Sequence, residues 1–116
     1  MAELGKIGVI ADAFKLDLRD NLRKAREVGA DGVKIWATEG VMHPDHLDRA
    51  QRQELKSFIA ELGLEVSALC ADFGGHGFRK EADNGWKIEQ SKKVMALALE
   101  LGSPIVTTHI GVIPEN

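Results

Sequence analysis

SPIVTTHIGVIPEN, residues 103–116, is the stretch on which the fold turns. Ile105, Val106, Thr107 and Thr108 form a short β-branched run behind Pro104, which reads as a buried strand. Its last polar residue, His109, is delivered to the strand's carboxyl end, ahead of a glycine turn at Gly111. Three earlier segments have the same character: KIGVIA (6–11), DGVKIW (31–36) and LEVSALC (64–70).

The intervals between them read as helices. Leu18, Leu22, Ala25 and Val28 fall near one helical face, with Asp17 placed to cap the start and Gly29 the end. Leu47, Leu55, Phe58, Ile59 and Leu62 recur at comparable spacing before Gly63. Ile88, Met95, Ala98 and Leu99 do so from about Trp86 to Gly102. Each helix stops at a glycine just before the next strand, so the order is βαβαβαβ, one domain over residues 1–116 with four strands and three main helices.

Strands that alternate with helices make a parallel sheet, and right-handed crossovers place successive helices on one face. With strand order 1-2-3-4, three helices leave the other face bare, although parallel sheets are normally covered on both sides. Covering it would bury roughly eight more side chains, worth on the order of 10 kcal/mol at about 1.5 kcal/mol each. That rivals the stability of a whole domain. The reading is therefore α/β, the amino-terminal half of a (β/α)8 TIM barrel, broken off where a fifth unit would begin. A small open flavodoxin-like sheet also fits the element order, but it wants a fifth strand and helices on both faces.

Composition narrows the function classes. Of the 116 residues 44% are apolar and 28% charged, with a net charge of −3, so there is no basic footprint for nucleic acid and no compositional case for disorder. A lone cysteine, Cys70, cannot form an internal disulfide and lies in a strand pattern, which fits a reducing, cytoplasmic setting. No apolar run approaches the length that spans a bilayer, and MAELGKIGVI lacks the pattern of an export signal.

In a barrel, inward-facing residues alternate with helix-facing ones, and the active site sits at the strands' carboxyl ends. Taking Val106, Thr108 and Ile110 as helix-facing leaves Ile105, Thr107 and His109 pointing inward. The same alternation sends Trp36 inward after Lys34, and Asp12 after Ile10. ADFGGHGF (71–78) follows the third strand with three glycines around His76, a loop able to bring backbone or imidazole close to a ligand. His76 and His109, on adjacent strand ends, are two imidazoles able to hold a divalent metal, but two ligands make an incomplete site. EGVMHPDHLDRA (39–50) carries His43 and His46 beside helix-start residues Pro44 and Asp45, with a solvent-facing role as the default. Glu39 and His46 are placed to line a loop over the site, and Arg79 and Lys80 within reach of an anionic substrate. Trp86 reads as packing at a helix start. No serine lies in a nucleophile-elbow context, and neither CxxC nor HExxH occurs.

KIGVIADAF (6–14), AREVGADGVKIW (25–36), ELGLEVSALCADFGG (61–75) and ALELGSPIVTTHIG (98–111) resemble the xylose isomerase-like TIM barrel superfamily. That group includes sugar phosphate isomerases and epimerases, inosose dehydratases and apurinic-site endonucleases. The resemblance covers the first half of the family fold. It implies a metal-dependent sugar or sugar phosphate isomerase or epimerase, with a divalent ion (Mn, Mg, Co or Zn) held mainly by residues of later strands. His76, His109, Trp36 and Asp12 would contribute substrate binding, and His76 and His109 part of the metal shell. In the endonuclease branch, histidines in places comparable to His76 and His109 help bind zinc, which makes abasic-site cleavage an alternative. Lys34 stands where members often carry glutamate. A third reading, from another class, is a structural half-barrel without activity of its own, which self-associates through its bare face and open edges. On the leading reading the chain alone is catalytically incomplete and its partners are a small sugar and further copies of itself.

Overall fold

In the computed structural model, which describes residues 5–113, β-branched runs bounded by glycines form four strands: β1 (Gly8–Ile10), β2 (Gly32–Trp36), β3 (Glu65–Cys70) and β4 (Val106–Thr107). The helices between them are α1 (Leu18–Glu27), α2 (Arg49–Glu61) and α3 (Glu81–Leu101). All strand pairs are parallel, and the sheet order is β1-β2-β3-β4. The fold is thus the α/β arrangement of a partial TIM barrel.

Local chemistry accounts for the helix limits. Asp17 caps α1 by accepting from the Asp20 amide at 2.8 Å. Asp48 and Gln51 form a reciprocal capping box at the start of α2, each side chain accepting from the other's amide. Asp48→Ala is expected to lower stability by about 1 kcal/mol in urea unfolding. Past each helix the chain turns through a left-handed glycine, Gly29, Gly63 or Gly102.

The core lies between the helices and one sheet face, where Leu22, Val33, Ile35, Leu69, Val94 and Leu97 are fully buried. Along β2, the alternate residues Lys34 and Trp36 belong to the other face, with Trp36 exposed. Ser67 is an extra residue between the pairs Val33–Val66 and Lys34–Ala68, a bulge that bends β3. Its Oγ donates to the Val33 carbonyl at 3.0 Å, and it fills the space left by Gly8 and Gly32.

Three expectations need adjusting. Leu47 is buried but precedes α2 rather than belonging to it. The chain after β1 curls into a 3-10 turn, Ala11–Phe14, so Asp12 lies beyond the strand. On α3 the residues buried against the sheet are Val94, Leu97, Ala98 and Leu101, whereas Ile88, Met95 and Leu99 are exposed. The cause is that MALALEL (95–101) is apolar nearly all round, so spacing alone cannot choose its packed side. Ile105, Ile110, Val112 and Ile113, before and after β4, are also exposed, and at the other edge so are Ile7 and Ile10. Among the described residues no helix is long and apolar enough to cross a membrane.

Candidate functional site

The carboxyl ends of β2 and β3 release two loops, residues 37–48 and 71–80, and between them opens a cleft of about 540 Å³. Trp36, the last residue of β2, forms one wall together with Thr38, Glu39, His43 and Asp45. Asp72 and Phe73 follow β3, and Trp86 and Gln90 come from the first turns of α3. Phe73 and Trp86 meet edge to face with ring centroids 5.9 Å apart. The Gln90 Oε1 is buried without a hydrogen-bond partner among the described residues.

Each loop is held from beneath. Asp72 accepts from the Gly74 amide at 2.9 Å, which starts the turn into the glycine loop. Lys87, buried on α3, donates to the Gly74 carbonyl at 2.6 Å and also to the Gly77 carbonyl. On the other side, Arg52 of α2 donates to the carbonyls of Leu47 and Pro44 and pairs with Glu100 at 2.8 Å.

Asp45 connects this loop to α3 through Lys93 at 3.0 Å, and that hydrogen bond, with the charge of the Lys93 ammonium, holds its carboxyl below the ordinary range. A depressed carboxylate contributes above the unfolded value, about pH 3.9, and loses its contribution as pH falls through the lower folded value. The protection of the amides in residues 43–48, taken relative to the intrinsic exchange rate at each pH, is therefore expected to fall below about pH 3.9 in the wild type. In Lys93→Met that protection should already be reduced at neutral pH, and should depend less on pH.

The four residues singled out from sequence divide into two groups. Trp36 lines the cleft, while Asp12 sits behind it and accepts from the Trp36 amide at 3.0 Å, tying the ends of β1 and β2 together. His76 and His109 lie outside the cleft, both exposed, with their segments in direct backbone contact: the Phe78 amide donates to the Ile110 carbonyl at 3.2 Å. β4 ends at Thr107, so His109 follows the strand rather than lying within it. No group of three or more His, Cys, Asp or Glu side chains able to hold a metal occurs among the described residues, and the donor set present does not fit a metal centre.

Glu39, placed by the sequence in a loop over the site, does line the cleft, whereas Thr38, Asp72, Phe73 and Gln90 were not singled out and His43, Asp45 and Trp86 were given other roles. Thr38, Asp72 and Phe73 carry one sequence signal, a position within three residues of a strand end, whereas Gln90 lies well inside α3 and carries none.

The profile of the family described as xylose isomerase-like TIM barrel matches residues 22–116. The chain belongs to the xylose isomerase-like TIM barrel family. Solved structures carry the same fold. The chain is similar to a xylose isomerase domain protein from Planctomyces limnophilus, with TM-score 0.75 and 21% identity over 100% of this chain and 45% of that one. It is also similar to a sugar phosphate isomerase/epimerase from Parabacteroides distasonis, with TM-score 0.62 and 17% identity over 99% and 42% of the two chains. A probable 3-DHS dehydratase from Bacillus anthracis gives TM-score 0.66 and 17% identity over 90% and 38%. The chain thus spans less than half the length of each of these structures. No curated protein is matched by the sequence. In the xylose isomerase-like frame, the cleft lies at the end of the sheet where barrel active sites are built.

Proposed function

We propose that this xylose isomerase-like chain forms the β2–β3 side of a sugar isomerase or epimerase site, and binds the sugar without turning it over alone. The observation that carries the reading is the cleft itself: aromatic side chains, Trp36, Phe73 and Trp86, beside the carboxylates of Glu39 and Asp72. Aromatic faces suit the C–H faces of a sugar ring, and carboxylates accept from its hydroxyls. Three carboxylates at one cleft disfavour a polyanion, which favours a neutral sugar over abasic DNA. A divalent ion would supply carbonyl polarisation in the intact site. The described residues offer no set to hold it, so the proton-transfer groups and metal ligands are assigned to later strands of the barrel.

The chain has two tryptophans, Trp36 and Trp86, and no tyrosine, so its intrinsic fluorescence reports on the cleft. Titration with D-xylose is expected to give a saturable change, weakened at least fivefold in Trp86→Leu, and no isomerisation with Mn²⁺ or Mg²⁺ present. A flat titration to the solubility limit, or turnover by the chain alone, would contradict the proposal.

A second reading, compatible with the first, is self-association. It is favoured by exposed apolar side chains, Met95 and Leu99 on α3 and Ile105 and Ile110 on either side of β4, whose outer edge pairs with no strand among the described residues.

A further inference from the structure

His43 sits at the cleft wall with its side chain 18% exposed, and both of its ring nitrogens can be assigned from the contacts it makes. The Nδ1 accepts from the backbone N–H of Asp45 at 3.0 Å and so caps the short 3-10 turn Pro44–His46. A nitrogen that accepts from an N–H carries no proton of its own. In a neutral imidazole the proton then resides on Nε2, which has no protein partner among the described residues. Pro44, with its fixed φ, sets the turn that aims the Asp45 amide at this ring. The tautomer is thus imposed by the backbone and not by a carboxylate: the nearest Asp45 oxygen is 3.8 Å from Nδ1 and is engaged with Lys93. His46 has the opposite arrangement, its Nδ1 lying 2.5 Å from the Gly40 carbonyl and hence carrying the proton.

Resting on the sugar-binding reading above, we infer that His43 is a ligand-binding residue of the cleft, locked as the Nε2–H tautomer, which donates a hydrogen bond to a hydroxyl or carbonyl oxygen of the bound sugar. The same lock bars two other roles. Ligation of a metal through Nε2 requires its lone pair, which would move the proton to Nδ1 and set it against the Asp45 N–H. Uptake of a substrate proton would likewise put a hydrogen on Nδ1 or require one on an already protonated Nε2. His43 is a donor that selects oxygen acceptors, complementary to the acceptor carboxylates of Glu39 and Asp72 in the same cleft.

The test is a long-range ¹H–¹⁵N spectrum of the labelled chain, with His43 assigned through His43→Asn, read alongside tryptophan fluorescence as D-xylose is added. Asparagine keeps an oxygen to accept from the Asp45 amide as a cap, yet cannot reach as Nε2–H does. The expected result is a pyridine-like Nδ1 and a pyrrole-like Nε2 before any sugar is added. Nε2 should then shift in step with the fluorescence change, and His43→Asn should weaken D-xylose binding roughly three- to tenfold. A proton on Nδ1, or site-specific broadening of His43 by Zn²⁺, overturns the inference whatever the sugar does. A fluorescence change with Nε2 unmoved and His43→Asn binding normally overturns the role of His43 and leaves the cleft reading intact. With no fluorescence change and no shift, the cleft reading fails and the role of His43 with it.

Discussion

Gly77→Ala is expected to destabilise the chain by about 3 kcal/mol and to part the two histidine-bearing segments. Gly77 is buried with φ at +69°, and a Cβ there would strike the His109 carbonyl oxygen and lie 2.7 Å from both the Gly111 nitrogen and the Ile110 carbonyl carbon. All three are backbone atoms, so no side chain can swing aside. About 1–2 kcal/mol comes from the left-handed conformation and a similar amount from overpacking. The contact also carries the Phe78 amide to the Ile110 carbonyl, so amide exchange at Phe78 should rise with the loss of stability. Gly85→Ala is the control of opposite sign: within α3 it has open space and no positive φ, and alanine there should stabilise by about 0.5–1 kcal/mol. Thermal unfolding of the two variants reads both effects. Equal, small effects would mean that the segments 76–78 and 109–111 are not packed together.

Lys87→Met is expected to cost about 2 kcal/mol and to release the glycine loop from α3. Lys87 is 2% exposed, and its ammonium serves the carbonyls of Gly74 and Gly77 without a carboxylate partner nearby in the hydrogen-bond network. Methionine keeps most of the stem volume but leaves both carbonyls without their donor. Removing a buried charge returns part of the cost, which is why the net figure is modest. Among the described residues the exposed neighbour Lys92 pairs with Glu89 on its own helix, so Lys92→Met should stay within about 0.5 kcal/mol in the same urea titration. The Lys87 variant should also lose D-xylose affinity, because Asp72 and Phe73 stand at the root of the released loop.

What was legible in the sequence follows the range of the forces involved. Asp17 as a cap and Gly29, Gly63 and Gly102 as helix ends are local chemistry, and each holds in the structure. The inward parity of Trp36 follows from the two-residue period of a strand, and it lines the cleft. The packed face of α3 is not legible because an all-round apolar helix has no periodicity to read, and contact with the sheet decides which side is buried. His43 was given a solvent-facing role since nothing in HPDH (43–46) reveals that its turn reaches the cleft that Trp36 lines. The convergence of Glu39 with Asp72 and Trp86 depends on loop paths and on the buried anchor Lys87, which resembles an ordinary surface lysine when read as sequence.

Those findings describe a chain that builds one side of a barrel and one side of its mouth. The face that holds the inner residues of the sheet is open, with Ile10 and Trp36 exposed, and neither sheet edge is paired among the described residues. Sedimentation equilibrium of the purified chain at micromolar concentration tests this half-barrel account most directly. The account predicts a mass of twice 12.7 kDa or more, reduced toward 12.7 kDa by Leu99→Lys together with Ile105→Lys, both at exposed apolar positions. A wild-type chain that remains a 12.7 kDa monomer across that concentration range would contradict it.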